Sequence, residues 1–275
     1  MSKLDLGPVG VALTVSDTYL DQAAGLEHLG YSALWLPGGQ IDDLGRLAEI
    51  IRATAAVPVG SAIISLDVYP PDMVAGLYAG LQASAPGRLM AGLGGPQKPR
   101  PLQALNDYLD HLDQAEPPVP AGRRLLAALG PRKLGLARDR FAGAILLLVT
   151  PAYISAARRI LGDGSTLVID QMLVLDADAA RARQTARRPL RFLSGLPGYR
   201  ASFARMGFAD SDIAGLSDTF VDQLVIWGDA DAIATRIGRY RQAGADHVML
   251  HVLSEGDQPG PIEAARRLAS SLLSE

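Results

Sequence analysis

Two segments of this 275-residue chain combine residue types that bind anions. Gly130-Pro131-Arg132-Lys133 places backbone amides at an expected helix start beside two cationic side chains, and Thr150-Pro151 sets a hydroxyl at another. Helix starts favour negative charge, so a phosphate group is the chemistry these segments could hold. Ordinary helix capping and surface basicity account for the same residues without a ligand. A third segment, Gly92-Leu93-Gly94-Gly95-Pro96, brings glycines to a strand end, where a bound molecule can approach the backbone closely. The run serves a plain loop equally well. It lacks GxGxxG spacing, and the first strand–helix turn, Ala12-Leu13-Thr14-Val15-Ser16-Asp17, has no glycine. A dinucleotide-binding Rossmann domain is therefore not expected.

Other chemistries find little support. His28 and His111 fall on helices, while His247 and His251 share one face of the last strand. No group has metal-ligand spacing, so no metal is expected. His251 lies nearer the active end of its strand and reads either as a polar wall residue or as a satisfied barrel histidine. No GxSxG elbow occurs. The chain has no cysteine, which excludes disulfide and thiol chemistry and fits a reducing compartment. Only Lys3, Lys98 and Lys133 are lysines, leaving few candidates for a Schiff base.

Eight apolar runs position these segments. They are Val9–Leu13, Ala33–Leu36, Val57–Ile64, Leu89–Gly92, Leu125–Leu129, Ala144–Val149, Leu167–Leu175 and His247–Leu253. Helical patterns alternate with them: Leu44, Leu47, Ala48 and Ile51, and later Val74, Leu77, Tyr78 and Leu81, recur at i, i+3, i+4, i+7. Gly30 and Gly244 each follow a helix and precede a strand, the place for a left-handed terminating residue. Strands alternating with helices imply a parallel sheet, and eight repeats are what a closed (β/α)8 TIM barrel needs. Such barrels carry their chemistry on the loops after the strands. The stretch 176–226 is too long for one barrel helix and is dense in arginine, so a helical insertion is expected between the seventh and eighth strands. It reads as a lid or substrate wall, or as a solvated hairpin or subunit contact. Residues 1–275 form a single barrel domain in this reading.

A net charge of −3 disfavours general nucleic-acid binding. The start, Met1-Ser2-Lys3-Leu4-Asp5, lacks a signal-peptide core, and Gly143–Val149 is far shorter than the ~18 apolar residues of a membrane span. A cytoplasmic protein without a membrane partner is expected.

Several segments together carry a family resemblance. They are Gly30-Tyr31-Ser32-Ala33-Leu34-Trp35, Arg88-Leu89-Met90-Ala91-Gly92-Leu93-Gly94, Leu126-Ala127-Ala128-Leu129-Gly130-Pro131, Leu148-Val149-Thr150-Pro151 and Trp227-Gly228-Asp229-Ala230-Asp231-Ala232. In their order and spacing they resemble the luciferase-like monooxygenase superfamily, in its subgroup of coenzyme F420-dependent oxidoreductases. The resemblance implies a homodimeric (β/α)8 barrel binding a deazaflavin or flavin at the C-terminal rim. It implies a non-proline cis peptide at Ala62–Ile63 against the cofactor ring, with Ser65 as a nearby polar contact. By the same resemblance Gly95 and Pro96 line the cofactor, and Gly130, Pro131 and Lys133 lie on its phosphate side; Gly94 and Thr150 join them as cofactor-binding candidates from the residue types alone.

The chain also departs from that pattern. Where relatives carry an acidic residue after the second strand, it has Leu36-Pro37-Gly38-Gly39-Gln40, and where a Glu or His is common after the fourth it has Gln97. Glycine has no side chain and an amide does not titrate usefully, so neither position supplies a general acid or base. Gln97 and His251 remain as catalytic candidates, and Asp42 or Asp43 could substitute from the shortened loop. The expected activity is F420-dependent hydride transfer to or from a small organic substrate. The alternatives are an FMN-dependent monooxygenase of the same fold, or a non-catalytic F420- or flavin-binding protein.

Overall fold

A computed structural model describes residues 3–95 and 100–273. Its strands are β1 (Val9–Ala12), β2 (Leu34–Pro37), β3 (Val59–Ala62), β4 (Ile64–Ser65), β5 (Leu89–Gly94), β6 (Arg124–Ala127), β7 (Gly143–Leu147), β8 (Thr166–Leu175), β9 (Ile226–Gly228) and β10 (His247–Val252). Around the ring the order is β1, β2, β3, β5, β6, β7, β8, β10, every pair is parallel, and β10 returns to β1 to close it. Parallel neighbours need long crossovers, and helices supply them. On the first half these are α1 (Tyr19–His28), α2 (Gly45–Ala53), α3 (Pro71–Gln82) and α4 (Pro101–Gln114). The second half has α5 (Pro131–Arg140) and α6 (Pro151–Leu161), then α7 (Ala179–Leu193), α8 (Pro197–Arg205), α9 (Asp210–Gly215) and α10 (Asp218–Leu224), and finally α11 (Ala230–Gln242) and α12 (Pro261–Leu272). The fold is a (β/α)8 barrel. Among the described residues no helix is long and apolar enough to cross a membrane.

The strands are apolar on both faces because both are covered. Outward side chains such as Val11, Leu34 and Leu250 pack against the helices. Inward ones, among them Trp35, Met90, Leu125, Val168 and Met249, fill the barrel, with Leu4 and Leu6 packed against them. The lower barrel is therefore a packed core rather than a channel. Gly30 and Gly244 adopt φ of +97° and +112°, as helix-terminating glycines should.

His247 sits in this core, fully buried. Its Nδ1 bonds to the Gly7 carbonyl at 2.8 Å, and its Nε2 accepts from Trp35 Nε1 at 3.0 Å, so the ring is neutral. Burial drives its pKa down to about 4. The unfolded chain takes up the proton near pH 6.5, before the native state does. Stability is therefore full above that pH and is lost as pH falls towards 4, at about 1.4 kcal/mol per pH unit from this group. Urea unfolding followed by Trp35 fluorescence should show this fall, and His247→Gln should flatten it; an unchanged slope in the variant contradicts the assignment.

Helices α7 to α10 build a separate apolar cluster over the C-terminal end of β8. Phe203 and Phe220 meet edge-to-face at 4.9 Å between ring centres, and both pack with Ala186, Leu190, Leu148 and Val174. Two arginines of α7 pair outside it: Arg183 with Asp222 at 2.6 Å, and Arg187 with Asp218.

Three local differences from the sequence reading have simple causes. The run expected over 57–64 splits into β3 and β4, because Ala62–Ile63 is a cis peptide. The run expected to reach Leu129 ends its ladder at Ala127, where the chain leaves for the rim. The short β9, which pairs Ile226 with Leu173 beyond the reach of the ring, is too brief for any periodicity to announce.

Candidate active site at the barrel mouth

The site begins with a bulge. Gly60 pairs with Met90 and Ile64 with Leu93, so three residues, Ser61 to Ile63, face only two, Ala91 and Gly92. The extra residue pushes the backbone out of the ladder at the cis bond. Ser61 Oγ bridges the gap, accepting from Gly92 N and donating to Gly92 O, each at 2.9 Å.

Glycines on β5 and just after β2 make room for it. A Cβ on Gly92 would stand 1.9 Å from Ser61 O, one on Gly94 would stand 2.5 Å from Ile63 Cδ1, and one on Gly38 would stand 2.7 Å from Ile63 O. Gly38 is therefore more than an acidic position left blank; it accommodates the bulge. Gly39 has no atom within 4 Å of its would-be Cβ and carries no such constraint.

Above the bulge opens a cavity of about 540 Å³. Ala62, Ile63, Gly94 and Gly95 form one wall, Gly130 and Lys133 another, and Ile145 and Leu147 part of the floor. Leu196, Pro197, Tyr199 and Arg205 of the α7–α8 segment complete it. Part of the arginine-rich stretch thus serves as a wall. Of the residues singled out from the sequence, Ala62, Ile63, Gly94, Gly95, Gly130 and Lys133 are brought together here. Ser65, Pro131 and Thr150 are not part of the lining. Pro131 is the first residue of α5, and Thr150 Oγ1 caps α6 by accepting from Tyr153 N at 3.3 Å. Pro96 and Gln97 lie outside the described residues. Asp42 and Asp43 do not reach the cavity lining: Asp42 pairs with Arg46 at 3.1 Å, and Asp43 accepts from Gly45 N at 2.5 Å.

Charge divides across the cavity. On the β5–β6 side, Lys133 Nζ points at Gly95 O, 3.5 Å away, and Arg205 donates to Leu129 O at 2.6 Å. Burial lowers the Lys133 pKa. On the β8 side stands a carboxylate that the sequence reading overlooked. Asp170 lines the cavity with its side chain 5 % exposed, and its Oδ1 is 3.1 Å from His251 Nδ1. Burial alone would lower the His251 pKa, but the charge and hydrogen bond of Asp170 outweigh it and the net shift is upward. Burial raises the Tyr199 pKa, with Asp170 adding to the rise, so this phenol stays protonated at neutral pH. The overlooked signal was a lone carboxylate inside the run Thr166–Leu175, two residues beyond inward-facing Val168.

Another hollow, about 460 Å³, is lined by Arg187, Arg191 and Arg200 and by no strand residue.

No family model matches the chain, and no curated protein sequence matches it. Solved structures do. An F420-dependent secondary alcohol dehydrogenase, held with an F420–acetone adduct, superposes with a TM-score of 0.74 at 13% identity, covering 100% of this chain and 99% of the other. A coenzyme F420-dependent tetrahydromethanopterin reductase from Methanopyrus kandleri gives 0.75 at 15% identity over 99% of each chain. The oxygenating constituent of 3,6-diketocamphane monooxygenase from Pseudomonas putida, with FMN, gives 0.69 at 12% identity, over 97% of this chain and 98% of the other. This chain shares its fold with these three enzymes.

Proposed function

We propose that this protein is an F420-dependent oxidoreductase of the luciferase-like type, acting on a small organic molecule held in the mouth of the barrel. The observation that carries the reading is the cavity itself, with a backbone bulge and bare glycines on one side and two cations on the next. A flat ring fits such a wall, because Gly94 and Gly95 leave the backbone without side chains in the way. An anionic tail fits beside Lys133, Arg205 and the start of α5. The volume lies within the roughly 300–1,000 Å³ range of small-molecule sites. When bound, a deazaflavin supplies the hydride acceptor or donor, which no side chain of the chain can provide.

The chain's own residues do the rest. Ala62 and Ile63 form the surface on which the ring would lie, Lys133 and Arg205 would hold the phosphate, and Leu196, Pro197 and Tyr199 would cover the bound molecule against water. FMN in the same place is the second reading, favoured by the FMN-bound monooxygenase of the same fold.

Fluorescence titration of the purified protein with F420 and, separately, with FMN tests both. F420 is expected to bind at micromolar concentration, at least tenfold more tightly than FMN, and to change redox state in the presence of a substrate. Tighter FMN binding moves the assignment to the flavin. Binding of F420 without turnover over a broad panel of alcohols, aldehydes and enones makes the protein a carrier, and binding of neither ends the proposal.

A further inference from the structure

After the second strand this chain has two glycines and no acid or base: a Cβ on Gly38 would strike the Ile63 carbonyl, and Gly39 has no side chain. Yet an ionisable pair stands elsewhere on the same rim. Asp170 comes from β8 and His251 from β10, and the register sets Met249 opposite Asp170 and His251 opposite Met172. The two are diagonal neighbours on the inward face, above Val168 and Met249 of the packed barrel. Asp170 Oδ1 is bonded to His251 Nδ1 at 3.1 Å, whereas Oδ2 has no protein partner among the described residues. That oxygen is not sealed in the core as an orphaned acceptor; it is open to the cavity that Asp170 lines, and no surrounding side chain occupies it. The cavity into which it faces is where a donor would arrive. The remaining ionisable groups that line this cavity are Tyr199 and Arg205 on α8 and Lys133 on α5.

We infer that Asp170 is the proton acceptor of this site, that His251 is its positioning residue, and that the substrate carries a hydroxyl group beside an oxidisable C–H. This rests on the redox reading of the cavity. The substrate hydroxyl donates to Oδ2. As that O–H bond breaks, its proton goes to Oδ2 and its electron pair becomes the second C–O bond. The neighbouring C–H leaves with its pair as hydride to the oxidised deazaflavin or flavin, so the substrate loses two electrons and two hydrogens. In the reverse direction protonated Asp170 returns the proton to a carbonyl oxygen. His251 holds Oδ1, so that Oδ2 stays turned to the cavity. The apolar surroundings, Ile63, Ile145, Leu147 and Leu196, suit a hydrocarbon body on that alcohol.

The pair can be read without turnover. In NMR spectra of the protein, the His251 ring signals should titrate about one pH unit or more lower in Asp170→Asn than in the wild type. Cyclohexanol, added as the probe, should shift those signals in the wild type, cyclohexanone should do so at least tenfold more weakly, and Asp170→Asn should remove the difference. In cofactor reduction by cyclohexanol, Asp170→Asn should lose about 10²-fold or more in kcat while the Kd for F420 moves less than about threefold. His251→Gln should lower kcat less and shift its pH profile. Equal response of His251 to alcohol and ketone, no response to either, or an Asp170→Asn enzyme as fast as the wild type overturns the inference and leaves the cofactor reading standing. Failure of the wild type to bind F420 or FMN overturns both.

Discussion

Replacing Lys133 by methionine should raise the Kd for F420 by about 10- to 100-fold, the equivalent of one charge-assisted hydrogen bond of about 1.5–3 kcal/mol. Methionine keeps the apolar stem and removes only the ammonium, so the cavity wall is preserved. The ammonium is held over Gly95 O in a half-buried position that lowers its pKa. An anion beside it would favour the protonated form that burial disfavours. Binding should therefore weaken as pH rises through the lowered lysine pKa, and the variant should lose that dependence. It should also show a shallower decline of affinity with added salt. Lys3, which pairs with Asp246 at 2.7 Å far from the cavity lining, is the matched control, and Lys3→Met should bind F420 as the wild type does. Equal Kd values for Lys133→Met and the wild type would remove Lys133 from the binding site.

The second large effect is on folding. Gly92→Ala places a methyl group 1.9 Å from the Ser61 carbonyl and 2.9 Å from Ile145 Cδ1. The obstructing atom is backbone, fixed by the two Ser61 hydrogen bonds to Gly92, so it cannot swing aside as a flexible side chain would. Relief requires the bulge to move. The expected loss is about 3 kcal/mol or more, at the upper end of overpacking in a tight core. Gly39→Ala, with nothing within 4 Å of the new methyl, should change stability by less than about 0.5 kcal/mol. Urea denaturation of the two variants tests the contrast. If Gly92→Ala is insoluble, the milder Gly94→Ala, which meets side-chain rather than backbone atoms of Ile63, should fold and still weaken F420 binding. Wild-type stability in Gly92→Ala would mean that the bulge is not held where it is described.

Much of the architecture was legible because it is written locally. A strand buried on both faces must be a continuous apolar run, and a helix covering it must show its stripe every three or four residues. Val9–Ala12, His247–Val252 and the other strands of the ring therefore declared themselves. The anion-binding side was half legible. Gly130 and Lys133 reach the cavity, whereas Thr150 does the plain work of a helix cap. Arg205, on a helix whose packing against the rim no pattern foretold, came only with the structure.

By itself, the amino-acid order determined the eight strands of the ring, their parallel alternation with helices and the rim on which chemistry would sit, because burial periodicity acts over a few residues. Tertiary structure alone decided what meets at that rim. Asp170 and His251 are 81 positions apart, and Gly38, just after β2, and Gly92, on β5, both serve the bulge after β3. Such meetings depend on barrel closure and on the register of each ladder, which set distances that no local pattern encodes. The carboxylate therefore passed for one polar letter in an apolar run until the ring closed and placed it in the cavity wall beside an imidazole.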